Sequence, residues 1–259
     1  MKTSTIIAAT AAIGISAAAN AADRIPADQA VKNVVLVHGA FADGSGWRGV
    51  YDNLTKRGYK VTIVQNPLTS LADDVAATKR AIDRQDGPII LVGHSWGGVM
   101  ITETGIDPKV TGLVYVSALS PDAGETTAQQ YEGYTTPPEF VIKPTADGFG
   151  VLKPGTFKAG FAADTTDEDA AFLENSQVPI NLSSFGIKLK NAAWRTKPSW
   201  AVIARQDKAF DQKMLQDMAK RIGAKVTGVD ASHALFFTQP DVIADVIDEA
   251  AKATKQVAQ

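Results

Sequence analysis

The sequence predicts a doubly wound α/β domain: a mostly parallel, six-stranded sheet with helices on both faces and one long insertion. Two observations carry this reading. Short runs rich in valine and isoleucine alternate with segments of helical periodicity from Lys32 onward. The alternation breaks once, between about Ser120 and Ala193, and then resumes with the same rhythm.

The elements follow in order. Val34-Val35-Leu36-Val37 is a continuous apolar run, as a strand buried on both faces requires. Trp47, Val50, Tyr51 and Leu54 recur at i, i+3, i+4 and i+7, which predicts a helix with those four on its inner face and Gly58 as its stop. Val61 to Val64 is the second strand. Ser70-x-x-Asp73 reads as a capping box that opens a helix through about Arg84, with Leu71, Val75 and Ile82 inward. Ile89 to Val92 is a strand, followed by a helix after Ser95 and by the strand Leu113 to Val116. The insertion holds Pro137-Pro138, Pro144, Pro154 and Pro179 and six of the ten phenylalanines, a composition suited to a cap rather than a separate domain. Regularity returns with the strand Trp200 to Ala204, a helix Phe210 to Ile222 and the strand Lys225 to Val229. A last helix has Pro240 near its start and Val242, Ile243, Val246, Ile247 and Ala250 on one face.

Composition narrows the function. A net charge of −2, with no run of like charges, offers no basic stripe for nucleic acid and no footprint for a membrane surface. The chain has no cysteine, which excludes a thiol nucleophile and zinc–thiolate sites, and its three histidines are too few for a multi-histidine metal centre. The beginning differs from the rest. Lys2, an uncharged stretch from Thr3 to Ala19 and then Ala19-Asn20-Ala21 read as a secretory signal peptide over residues 1–21. The expectation is a periplasmic or secreted protein in which residues 22–259 form one domain, with the cap at about 120–193.

In an open parallel sheet the carboxyl ends of the strands carry the chemistry. There Gly93-His94-Ser95-Trp96-Gly97 fits G-x-S-x-G between a buried strand and a helix. A strand that turns abruptly into a helix holds one side chain at a strained apex, which makes Ser95 the candidate nucleophile. The Trp96 N–H, at the positive end of the following helix, suits an oxyanion; Ala40, in the loop His38-Gly39-Ala40-Phe41, is the expected second donor. That loop lacks the lysine of a phosphate-binding glycine loop. Serine needs a base. His94 adjoins the nucleophile with its side chain turned away, and His38 belongs to the oxyanion loop, so His233 remains. Asp207, after the strand Trp200 to Ala204, is the expected acid behind His233; Asp122 is the rival and Asp230 a turn residue. Phe41 in the loop after the first strand and Tyr131 and Phe140 in the cap are the expected substrate contacts; the cap also supplies Tyr134, Phe149, Phe157, Phe161, Phe172, Leu173 and Phe185.

At these motifs the chain resembles the α/β-hydrolase superfamily over nearly all of Lys32 to Lys252. The start directly at the HGAF strand is similar to the compact six-stranded branch of plant methylesterases and hydroxynitrile lyases. The resemblance implies a capped ester hydrolase that needs no cofactor, and the apolar side chains of the cap suit small, apolar carboxylic esters. Hydroxynitrile lyases carry threonine at the position of Gly39 and lysine just after the catalytic histidine, where this chain has Ala234, so it departs from the lyase pattern. A small-molecule binder or slow-turnover receptor on the same fold, and a cofactor-free haloperoxidase or perhydrolase, are the alternatives. The expected partner is a small ester, with neither nucleic acid nor stable membrane association; oligomeric state is not legible.

Overall fold

The computed structural model describes residues 31–254; the expected signal peptide lies outside them. The chain begins with β1 (Asn33–Val37), all five residues buried. A 3₁₀ turn (Gly44–Trp47) leads into α1 (Arg48–Lys56). Gly58 follows at φ +87°, the left-handed conformation that stops the helix. Then come β2 (Lys60–Val64), α2 (Leu71–Asp83), β3 (Ile89–Ser95), α3 (Gly97–Thr104) and β4 (Val110–Ala118). The insertion contains β5 (Ile142–Pro144), β6 (Phe149–Leu152), α4 (Phe157–Phe161), α5 (Asp167–Asn175) and β7 (Ile180–Asn181). The main sheet closes with β8 (Ser199–Ala204), α6 (Gln212–Arg221) and β9 (Lys225–Val229), followed by the short α7 (Leu235–Thr238) and α8 (Pro240–Ala253).

The main sheet has the order β2-β1-β3-β4-β8-β9, and every neighbouring pair is parallel. The chain moves outward from β1 to β2 and then crosses back to β3. Right-handed crossovers therefore place α1 on one face and α2 on the other. Packing agrees: α1 pairs with α8, and α2 with α3. The connections after β1 and β3 run in opposite directions, which opens a crevice between them at the carboxyl edge. Register sharpens this. Val37 lies opposite Gly93, so the His38–Phe41 loop and the His94–Trp96 turn leave the sheet side by side. Ala204 lies opposite Val229, which brings the loops carrying Asp207 and His233 together in the same way.

Three local differences from the sequence reading have physical reasons. Tyr51 is 37% exposed rather than inward, because the helix face is set by Trp47, Val50 and Leu54, all fully buried. The helix expected from Phe210 begins at Gln212: Asp211 caps it by accepting from the Lys213 and Met214 amides, and Phe210 is left buried outside it. The insertion, which reads as irregular, contains an antiparallel sheet β5-β6-β7 whose strands are two to four residues long, too short for alternation to show. In the capping box, Ser70 Oγ accepts from the Asp73 amide (3.1 Å) and donates to the Asp73 carboxylate (2.7 Å).

Candidate active site

Ser95 ends β3 at φ +53°, a left-handed conformation that costs a non-glycine residue of order 1–3 kcal/mol. The elbow tolerates it because the backbone closes in around the serine. A Cβ on Gly97 would stand 2.4 Å from the Val37 carbonyl oxygen, with no flexible side chain to give way. Gly97→Ala is expected to cost ~2–3 kcal/mol or more, read as a lower denaturation midpoint; a midpoint within error of wild type would show that the elbow can relax.

The neighbouring loop is built around His38. The Asn66 backbone N–H donates to His38 Nε2 (2.9 Å), which assigns the proton to Nδ1; Nδ1–H then donates to the Gly39 carbonyl (2.8 Å). Burial pushes the His38 pKa down and keeps the ring neutral. The Gly39 carbonyl and the Ala40 N–H belong to one peptide and point in opposite directions. Fixing the carbonyl on His38 thus turns the Ala40 N–H the other way. A Cβ on Gly39 would lie 2.7 Å from Ser95 Cβ, so the threonine of the lyase pattern has no room here.

His233 is fully buried, as is the Asp207 carboxylate, and His233 Nδ1 lies 2.8 Å from Asp207 Oδ2. The other carboxylate oxygen accepts from the amides of Ala209 (2.8 Å) and Phe210 (3.1 Å). A carboxylate accepts only, so the imidazole proton sits on Nδ1 and Nε2 carries a lone pair; Nε2 has no hydrogen-bond partner among the described residues. Phe161, Phe210 and Phe140 surround the ring at centroid distances of 4.9, 5.1 and 6.3 Å. The His233 backbone is tied to the elbow as well. His94 Nε2–H donates to the His233 carbonyl (2.9 Å), and the two rings are 4.6 Å apart. Burial, with His233 alongside, holds the His94 pKa well below the usual histidine range. On the cap side, the Phe161 carbonyl accepts from the Ala234 amide and from Ser232 Oγ, so both chain neighbours of His233 are held.

The rival acid lies elsewhere. Asp122 forms a forked ion pair with Arg195, which holds its carboxyl below the usual carboxylate range. Asp230 pairs with Arg205 on the surface (2.9 Å).

Beside Ser95 opens a cavity of about 370 Å³, a size suited to a small molecule. Ala40, Phe41, Trp96, Tyr131 and Phe140 line it together with Ser95, so the expected oxyanion and substrate residues meet there. Sequence reading missed Leu119, Thr127, Ala128, Thr136, Ile142 and Phe210 in its wall. Of the remaining cap aromatics, Phe185 lines the cavity, Phe157 and Phe161 are buried, and Tyr134 bonds Asp217. Phe172 is 52% exposed, so the cap's aromatic content overstated the pocket. Asp211 as a helix cap was the available signal that Phe210 precedes the helix.

A parallel sheet carrying a strained serine at its switch point, with a buried histidine–carboxylate pair and an apolar cavity on the same edge, defines the architecture of an α/β hydrolase. The chain belongs to the alpha/beta hydrolase family, which it matches over residues 34–246. It is similar to a pyrethroid hydrolase of Sphingobium wenxiniae, 25% identical over 262 residues, covering 88% of this chain and 91% of that protein. A carbendazim-hydrolysing esterase of Nocardioides sp. is 34% identical over 110 residues, covering 36% of this chain and 45% of the other. Among solved structures, a methylesterase from Arabidopsis superposes with a TM-score of 0.70 at 21% identity, over 85% of this chain and 98% of that one.

Proposed function

We propose that this protein hydrolyses small, neutral, largely apolar carboxylic esters through an acyl-enzyme. The observation that carries the proposal is the placement of Ser95, at φ +53°, in the wall of an apolar cavity with the His233–Asp207 pair on the same sheet edge. Ser95 Oγ attacks the ester carbonyl carbon while His233 Nε2 takes its proton. The Ala40 and Trp96 N–H groups receive the oxyanion of the tetrahedral intermediate. The intermediate collapses, the C–O bond to the alcohol breaks, and His233 returns the proton to the departing alkoxide. Water then attacks the acyl-enzyme by the same route, giving acid and free serine. Ester and water alone balance the reaction.

The substrate class follows from the walls. Among the described residues no lysine, arginine or carboxylate lines the cavity, so they offer no handle for a charged substituent. Two relatives named for ester or pyrethroid hydrolysis support the same chemistry. His233 should be indispensable: without its Nε2 lone pair nothing receives the Ser95 proton, so His233→Ala is expected to lower kcat/KM by about 10³–10⁴-fold. Initial rates on p-nitrophenyl butyrate check this, and wild-type turnover in His233→Ala would remove histidine as the base.

A further inference from the structure

Asp74 is completely buried on α2 and has no role in the steps above. Its Oδ2 accepts from the Trp96 indole Nε1–H (2.9 Å), and its Oδ1 from the Leu68 amide (2.8 Å). Leu68 is held at φ +57°, and its carbonyl accepts from the Asn181 amide (2.8 Å) in β7 of the cap. Just beyond β7, the Phe185 ring meets the Trp96 indole edge-on at 5.2 Å, and both rings line the cavity. One carboxylate therefore reaches one wall of the cavity by two routes, directly through Trp96 and indirectly through Leu68 and the cap strand.

We propose that Asp74 is a positioning residue for substrate selection: its carboxylate fixes the Trp96–Phe185 wall against which the larger arm of the ester packs. The assignment rests on the cavity being the ester site and deepens that reading.

Only an ionised carboxylate accepts on both oxygens without donating. Adding a proton makes one oxygen an O–H donor that faces an N–H, and one of the two links fails. Burial raises the Asp74 pKa to about 6, so this happens in a mildly acidic range. Asp73 on the same helix pushes in the same direction. The elbow and the Leu68 turn contribute N–H donors. The nearest loop imidazoles, His38 and His94, are neutral and bonded elsewhere.

The test uses a ratio, because any effect common to all esters cancels. kcat/KM for p-nitrophenyl hexanoate is divided by that for the acetate, from about pH 5 to 8. In the wild type the ratio is expected to fall roughly fivefold on acidification, with a midpoint near the Asp74 value of about 6. In Asp74→Asn, which has no proton to gain, the ratio should be flat. A constant wild-type ratio, or a pH step that survives in Asp74→Asn, overturns the assignment. A merely structural carboxylate would lower both esters together and leave the ratio unchanged. If no ester is turned over, the hydrolase reading fails separately, and tryptophan emission of the intact protein decides about Asp74. A proton-linked change with a midpoint of about 6, lost in Asp74→Asn, supports it; no such change in the wild type, or one that persists in Asp74→Asn, rejects it.

Discussion

Ser95→Ala is expected to lower kcat/KM on p-nitrophenyl butyrate by about 10⁴-fold or more. The loss is large because no other group at the elbow can form the acyl bond. His38 and His94 are both neutral, buried and committed to backbone carbonyls. Residual acceleration should come from the Ala40 and Trp96 amides, which the substitution leaves in place. Stability should change little, since alanine inherits the backbone strain at φ +53° and loses only a hydroxyl. Steady-state kinetics with a denaturation curve on the same preparation separate the two effects. Retention of wild-type turnover would remove Ser95 as nucleophile. Tight ester binding by the wild type with no turnover would instead favour the small-molecule binder.

Asp207→Asn should cost about as much, near 10⁴-fold in kcat, while Asp122→Asn stays within about twofold. The asymmetry follows from the hydrogen bonds. Asp207 Oδ1 is held by the amides of Ala209 and Phe210, so the single oxygen of asparagine stays with them. Its NH₂ group then faces His233 Nδ1 in place of the carboxylate oxygen 2.8 Å away. Two donors cannot share that contact, so the imidazole must move its proton to Nε2. The nitrogen that should accept the Ser95 proton is then occupied. Asp122, paired with Arg195 at the protein surface, has no such connection to His233. Equal losses in the two variants, or a greater loss in Asp122→Asn, would reverse the assignment of the acid.

Much of this site could be read in one dimension because its determinants are local. The G-x-S-x-G spacing encodes the elbow: the glycines around Ser95 are the positions where a Cβ would strike backbone. The apolar runs marked β1, β3 and β8, which are buried along their whole length and so have no polar alternation to obscure them. The edge strands β2 and β9 are partly exposed and were marked by their valines and their place in the strand–helix rhythm. The aromatic cap residues were less informative. Phe172 and Phe157 belong to the same insertion and the same residue type, yet one is 52% exposed and the other 1%. Hydrophobicity reports a preference for burial, and which core or cavity receives the ring depends on packing at long range.

The primary structure determined by itself the strand–helix rhythm, the elbow with Ser95 and the candidacy of His233. These depend on periodicity, backbone sterics and residue type, all of which act over a few positions. Tertiary structure decided the rest: that Asp207 rather than Asp122 meets His233, that Phe210 lines the cavity, and that Asp74 stands behind Trp96. Each of these is a contact between segments 22 or more residues apart. Such pairings arise from strand order, register and crossover handedness, and the short sequence windows around each partner do not contain them.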